Sequence, residues 1–294
     1  MKIARYRYRK EESYGVIHEQ NILPLPALAK RLKKKLAQKI EDFIIHGENT
    51  LRIAENVLQN VNDYDIKSVS MRLNAVSLVA PIAFPPKIIC LGRNYIDHSY
   101  EMKEPPALEP VIFIKPHTTI IGPNEKIIKP SFVKGLDYEG ELAIIIGKKA
   151  KNVPIAQAES CIFGYTVFND VSARDFQFRD VQWTRGKSFD TFAPIGPSIT
   201  TKAQLPNTSN LSLKTWVNGE LRQNATTRNM ILNTNEIVHH LSRIMTLEPC
   251  DVIATGTPAG VGFAMKPPRY LKDGDVVRIE IERIGVLENT VEEE

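Results

Sequence analysis

Cysteine is scarce: three residues in 294 (Cys90, Cys161 and Cys250), odd in number and far apart. None belongs to a CxxC pair, so neither a disulfide framework nor a structural zinc site is indicated. No apolar run approaches the roughly 18–20 residues that a membrane-spanning helix needs, which excludes the bilayer as a partner. The opening "MKIARYRYRKEESY" is charged throughout and lacks the apolar centre of a secretory signal, so a cytoplasmic location is expected. Excess charge is small, a net +4, and no basic stripe is interleaved with aromatics, which argues against nucleic acid. The one dense basic run, "KRLKKKLAQK" (30–39), carries Leu28, Leu32, Leu36 and Ile40 along one side and reads as a solvated helix face.

What remains is the composition of a soluble globular protein, 43% hydrophobic and 24% charged, sized for one large domain or two modest ones. A proline-rich joint at 81–86 divides it into an expected small α/β domain (1–80) and a larger β-rich domain (81–294). Before the joint, 1–26 reads as a hairpin turning at "EES", with helices over 27–46 (closed by Gly47) and 50–59, then a strand. After it, short β segments recur, among them "KIICLG", "VIFIKP", "ELAIIIG", "IFGYTVFNDVS" and "DVVRIEIERIG". Helical signals there are few: "YIDHSYEM", "PIAQAES" and "TNEIVHHLSRIM". The pattern predicts an α+β, β-rich fold rather than a doubly wound sheet.

In "GLDYEGELAIIIG", Asp137, Glu139 and Glu141 alternate ahead of a buried strand, which would place three carboxylates on one face. Like charges so close repel, and burying them is costly unless something positive is present. Asp170, opening a polar turn after the strand "GYTVFN", offers a further acid. Hard divalent cations take oxygen ligands of this kind, and no cysteine or metal-spaced histidine lies nearby to favour zinc. The bland alternative is an edge strand protected by its charges.

His98 and Glu101 in "NYIDHSYEM" are three apart and share a face on a helical turn, where the acid would orient the ring and make it a better base. The stretch 96–110, with Glu101, Lys103, Glu104 and prolines 105, 106 and 110, is expected to form a mobile lid. Lys187 in "RGKSFD" is a second candidate, against the alternative of a solvated loop charge. Arg174 and Asp175 read as a structural turn pair, and His239 and His240 as structural. "ATGTPAGVGF" lacks both the Lys-Ser/Thr ending of a P-loop and GxGxxG spacing, so a nucleotide site is not expected.

The segments "IICLGRNYIDHSYEM", "DYEGELAIIIGKKAKNV", "GYTVFNDVSARDFQ", "QWTRGKSFDTFAPIGP", "VNGELRQ", "MTLEPCDVIATGTPAGVG" and "GDVVRIEIERIG", in this order, resemble the fumarylacetoacetate hydrolase family. The likeness is to its acylpyruvase-like and dienedioate-isomerase-like members and spans 85–291. It implies a mixed β-sandwich roll for the C-terminal domain, and Mg²⁺ held by Glu139, Glu141 and Asp170, with Mn²⁺ or Ca²⁺ able to substitute. It implies His98 and Glu101 as the water-activating dyad, and Lys187 with Gln177 donating to substrate oxygens. Arg93, Tyr95 and Thr257 are the implied substrate contacts, and a homodimer is implied as well. The expected reaction is hydrolysis of a C–C bond in an acylpyruvate or other β-diketo acid. Isomerisation of a 2-hydroxydienedioate or decarboxylation of oxaloacetate by the same site are the nearest alternatives. Beyond these stand a sugar-acid lyase or dehydratase on the same fold, and a non-catalytic cation-binding assembly protein, which would have no use for an HxxE pair facing the ion.

Overall fold

The computed structural model describes residues 1–102, 105 and 109–294. Its centre is a mixed sheet of twelve strands, in which Gly140–Ile146 lies between Ile162–Asn169 and Val252–Ala254. One face of this sheet is covered by a second sheet of five strands, built on Ser212–Val217, Val276–Ile281 and Gly285–Glu293. Between them lie Leu142, Ile144 and Ile146 with Leu213, Ile279, Ile281 and Leu287. On the other face Ala143, Ile145 and Phe163 pack against Phe43, Ala54 and Val57 from the N-terminal helices Ile40–Ile45 and Gly47–Asn60. Burial on both faces explains why "LAIII" is continuously apolar instead of alternating. The expected β-rich α+β architecture is what forms.

The N-terminal segment joins the same large sheet: Lys2–Tyr8 pairs antiparallel with Ala193–Thr201, Lys2 opposite Thr200 and Ile3 opposite Ile199. Its hairpin turns at Arg9–Lys10, with Arg9 at φ +58°, so Glu11 and Glu12 belong to the second strand, Glu11–His18, and not to the turn. The helix expected over 27–46 is broken. It runs Leu25–Arg31, stops where Lys33 adopts φ +53° and Lys34 N–H returns to Ala29 O, and resumes at Ile40. Lys30 and Arg31 close the helix, and Lys33, Lys34 and Lys35, which at helical spacing would stand against them and repel, lie in a loop. A helix Asp63–Val69 also forms in a stretch expected to be extended. Among the described residues no helix is long and apolar enough to cross a membrane.

Candidate active site

The ends of two neighbouring strands assemble the acids. Gly140 lies opposite Asn169 in the antiparallel ladder, Asp170 N–H donates to Glu139 O (2.9 Å), and the Asn169 side chain accepts from Glu139 N–H (3.0 Å). This register brings carboxylate oxygens of Glu139, Glu141 and Asp170 within 4.8 Å of one another, all three buried. Asp137 is not part of the cluster, contrary to the expected common face. The strand starts only at Gly140, and Asp137 sits in a separate short pairing of Leu136–Asp137 with Ser172–Ala173. There it accepts from Gly262 N–H (2.8 Å), Phe263 N–H (3.1 Å) and Arg174 Nε (2.8 Å).

Arg174 is therefore more than a turn residue. Its guanidinium is buried and bridges Asp137, Glu139 Oε1 (2.7 Å) and Gln177 Oε1 (2.8 Å). Asp175 keeps the expected turn role, accepting from Lys134 N–H (3.1 Å) and Gly135 N–H (3.3 Å). Lys187 Nζ donates to Glu139 Oε2 and Asp170 Oδ2, both at 2.9 Å. The other oxygen of Asp170 takes the ammonium of Lys115, a buried residue that sequence reasoning missed. In this buried set four acids (Asp137, Glu139, Glu141, Asp170) face three basic side chains (Lys115, Arg174, Lys187).

The acids do not share this compensation equally. Burial lifts Glu139, but Lys187, Arg174 and His98 outweigh it and bring its carboxyl down to about 2. Glu141 is pushed well above the usual carboxylate range by burial and by its neighbours Asp170 and Glu139. Its Oε2 accepts from Gly256 N–H (2.7 Å), while Oε1 is buried with no hydrogen-bond partner among the described residues. An orphaned buried oxygen in an all-carboxylate set fits a hard divalent cation. The oxygens already bonded to Lys187 and Arg174 keep a second lone pair each. Glu139, Glu141 and Asp170 thus have the chemistry to hold such an ion.

A cavity of about 20 Å³, room for about one water, is lined by Arg93, His98, Glu139, Gln177, Lys187 and Thr257 among others. Trp183 and Met102 also border it, so a substrate enters only if side chains at its mouth move. His98 lies on the helix Ile96–Glu101, buried, with Nδ1 3.0 Å from Glu101 Oε2. A carboxylate oxygen accepts, so in this pair Nδ1 is the donor and Nε2 is turned away from Glu101. The helix holds His98 on the cavity rather than away from it; of the expected lid, residues 103, 104 and 106–108 lie outside the described residues.

Thr257 donates its hydroxyl to Gly140 O (3.0 Å) and accepts from Gln223 Nε2 (2.8 Å), so that group is committed within the protein. Tyr95 does not line the cavity: it is fully buried, and burial raises its phenol. His239 is structural as expected, its Nδ1 2.7 Å from Val153 O.

Fold and site together define a class: a buried carboxylate triad at the ends of sheet strands, faced by a lysine and a histidine–glutamate pair. The family model "Fumarylacetoacetate (FAA) hydrolase C-terminal" matches residues 87–292, and the chain belongs to that family. It is 43% identical over 255 residues to "Oxaloacetate tautomerase fahd2, mitochondrial" of Xenopus laevis, covering 86% of this chain and 78% of that protein. Among solved structures it resembles the 2-hydroxyhepta-2,4-diene-1,7-dioate isomerase of Mycobacterium marinum (TM-score 0.77, 37% identity, 100% of this chain and 99% of that one). It also resembles the maleylpyruvate hydrolase of Sphingobium sp. SYK-6 in complex with manganese(II) and pyruvate (TM-score 0.81, 30% identity, 100% and 99%). The family is one of enzymes, with hydrolase, isomerase and tautomerase relatives.

Proposed function

We propose that this chain is a divalent-metal enzyme that hydrolyses a C–C bond in an acylpyruvate or related β-diketo acid and releases pyruvate. The observation that carries the proposal is His98, buried on the same cavity as Glu139 and Lys187 and paired with the partly exposed Glu101. A divalent ion held by Glu139, Glu141 and Asp170, Mg²⁺ by the family resemblance, supplies Lewis-acid polarisation of the 2-oxo acid. Glu101 fixes the imidazole so that Nε2 takes a proton from water. The water oxygen adds to the distal carbonyl, and the bond from that carbon to the methylene breaks with its electron pair passing to pyruvate enolate. His98 returns its proton to the enolate carbon, giving pyruvate and a carboxylic acid. Lys187 and Arg174 keep positive charge beside the developing enolate. Gln177, whose oxygen is taken by Arg174, has its amide N–H left to donate to substrate.

Because the Thr257 hydroxyl is committed, the substrate carboxylate would meet the backbone N–H groups of that loop, with Arg93 at the rim. A homodimer and a cytoplasmic location belong to the same reading; exposed Phe132, Phe178 and Val181 support the former. The Xenopus relative favours a second reading, tautomerisation of oxaloacetate, in which the same base moves a proton at C3 and no water is consumed. Decarboxylation of oxaloacetate would draw on the same enolate. The test is purified protein with Mg²⁺, following loss of the β-diketo absorbance of acetylpyruvate beside enol–keto conversion of oxaloacetate. Turnover of acetylpyruvate to acetate and pyruvate is expected. Oxaloacetate interconversion with no acetylpyruvate cleavage would replace the first reading by the second.

A further inference from the structure

The dyad is held by something outside its own helix. Glu101 uses Oε2 for the imidazole and Oε1 for the backbone N–H of Gly260 (3.0 Å). Gly260 lies in the loop after the strand Val252–Ala254, and its geometry is forced from several sides. Its φ is +105°, a region open mainly to glycine, and an added Cβ would meet the carbonyl oxygen of Arg222 at 2.1 Å. Its own carbonyl accepts the hydroxyl of Tyr138 at 2.8 Å. The Tyr138 side chain is fully buried, lies beside the Arg222 guanidinium, and immediately precedes Glu139 in sequence.

We infer that Tyr138 and Gly260 are positioning residues for the dyad. The Tyr138 hydroxyl fixes the backbone at Gly260, the Gly260 N–H fixes the Glu101 carboxylate, and that carboxylate fixes the His98 ring. The helix carrying the pair has six residues, too few to hold its own geometry. A carboxylate gripped at both oxygens cannot rotate about its terminal bond, whereas one gripped only by the imidazole can. Since Tyr138 adjoins Glu139, one residue sets the spacing between the acid triad and the base.

The inference rests on His98 as the proton carrier, so its test has one arm that needs no turnover. In kinetics at saturating Mg²⁺, Tyr138→Phe should lower kcat by about five- to tenfold, the usual worth of a neutral hydrogen bond, with KM and the Mg²⁺ half-saturation unchanged. In a Glu101→Gln background the same substitution should have no further effect. Equal losses in both backgrounds, or a change in KM with kcat intact, would overturn the inference. Gly260→Ala should lose at least as much but can disrupt its turn, so the near-isosteric Tyr138→Phe carries the test. In the second arm the six histidines are ¹⁵N-labelled and His98 is followed by NMR without substrate. Its Nδ1 resonance should move in Tyr138→Phe in the direction it moves in Glu101→Gln; an unmoved resonance overturns the inference. A moved resonance in protein that cleaves no acylpyruvate upholds the positioning chain and removes the hydrolase reading instead.

Discussion

Within the acid cluster Glu141 is poorly compensated, with one oxygen unpartnered among the described residues and two carboxylates beside it. Glu141→Gln removes a like charge without removing volume, so the metal-free variant should be no less stable than the parent. It should lose the rise in Tm that Mg²⁺ gives the parent, worth about 2.7 kcal/mol at a hundredfold excess over Kd. Thermal scans with and without Mg²⁺ decide this, and an undiminished rise would remove Glu141 from the ligand set. His98→Ala should cut acetylpyruvate hydrolysis by roughly 10²–10⁴, the usual worth of a general base, with Mg²⁺ affinity unchanged. Lys187→Ala should behave differently in the same steady-state and calorimetric assays. It should slow both hydrolysis and any oxaloacetate reaction, and alter Mg²⁺ affinity, because its ammonium bonds two of the triad carboxylates. The Glu139–Glu141 pair and the HxxE pair were legible because their spacings are local, whereas Asp170 joined the acids as a ligand through the family resemblance. Lys115 and Arg174 were not legible. A lysine closing "VIFIK" looks like a strand-end charge, and the arginine meets Asp137 only after a fold that spans 37 residues.

Among the elements, the strand Gly140–Ile146 is the one that joins core to site. Its first residue passes close under the five-stranded sheet: a Cβ on Gly140 would stand 2.3 Å from Thr215 Oγ1. Gly140→Ala should therefore cost about 1–3 kcal/mol of overpacking and lower Tm. Adding Thr215→Ala, which removes the clashing oxygen, should restore part of the loss in a chemical-denaturation series. A double variant no better than the single would locate the strain elsewhere. Strands after residue 85 could be read from apolar runs bounded by turn residues, and the helix Thr234–Ile244 from the helical signal in "TNEIVHHLSRIM"; its Asn233–Glu236 capping box is seen in the structure. The break after Arg31 could not, because the apolar spacing of Leu28, Leu32, Leu36 and Ile40 continues through it. Leu36 and Ile40 are both buried, but by a chain that has left the helix, with Tyr14 donating its hydroxyl to Ala37 O (2.6 Å).

At the scale of the whole molecule, the division at residue 81 can be tested directly. A chain beginning there lacks the Lys2–Tyr8 strand and the helices that cover Ala143, Ile145 and Phe163. An open strand edge beside an uncovered apolar face invites association. The shortened chain should aggregate on size-exclusion chromatography; a monodisperse product with a cooperative Tm and intact Mg²⁺ binding would instead show 1–80 to be a separable unit. The pairing of Lys2 with Thr200 has a further consequence, in time rather than in space. At the ~5–20 residues per second of synthesis, the first strand waits on the order of 10–40 seconds before its partner leaves the ribosome. Through that interval the early hairpin can pair only with itself and its near neighbours. The acid triad, whose strands span 140–169, is complete in the nascent chain before the sheet that holds it can close.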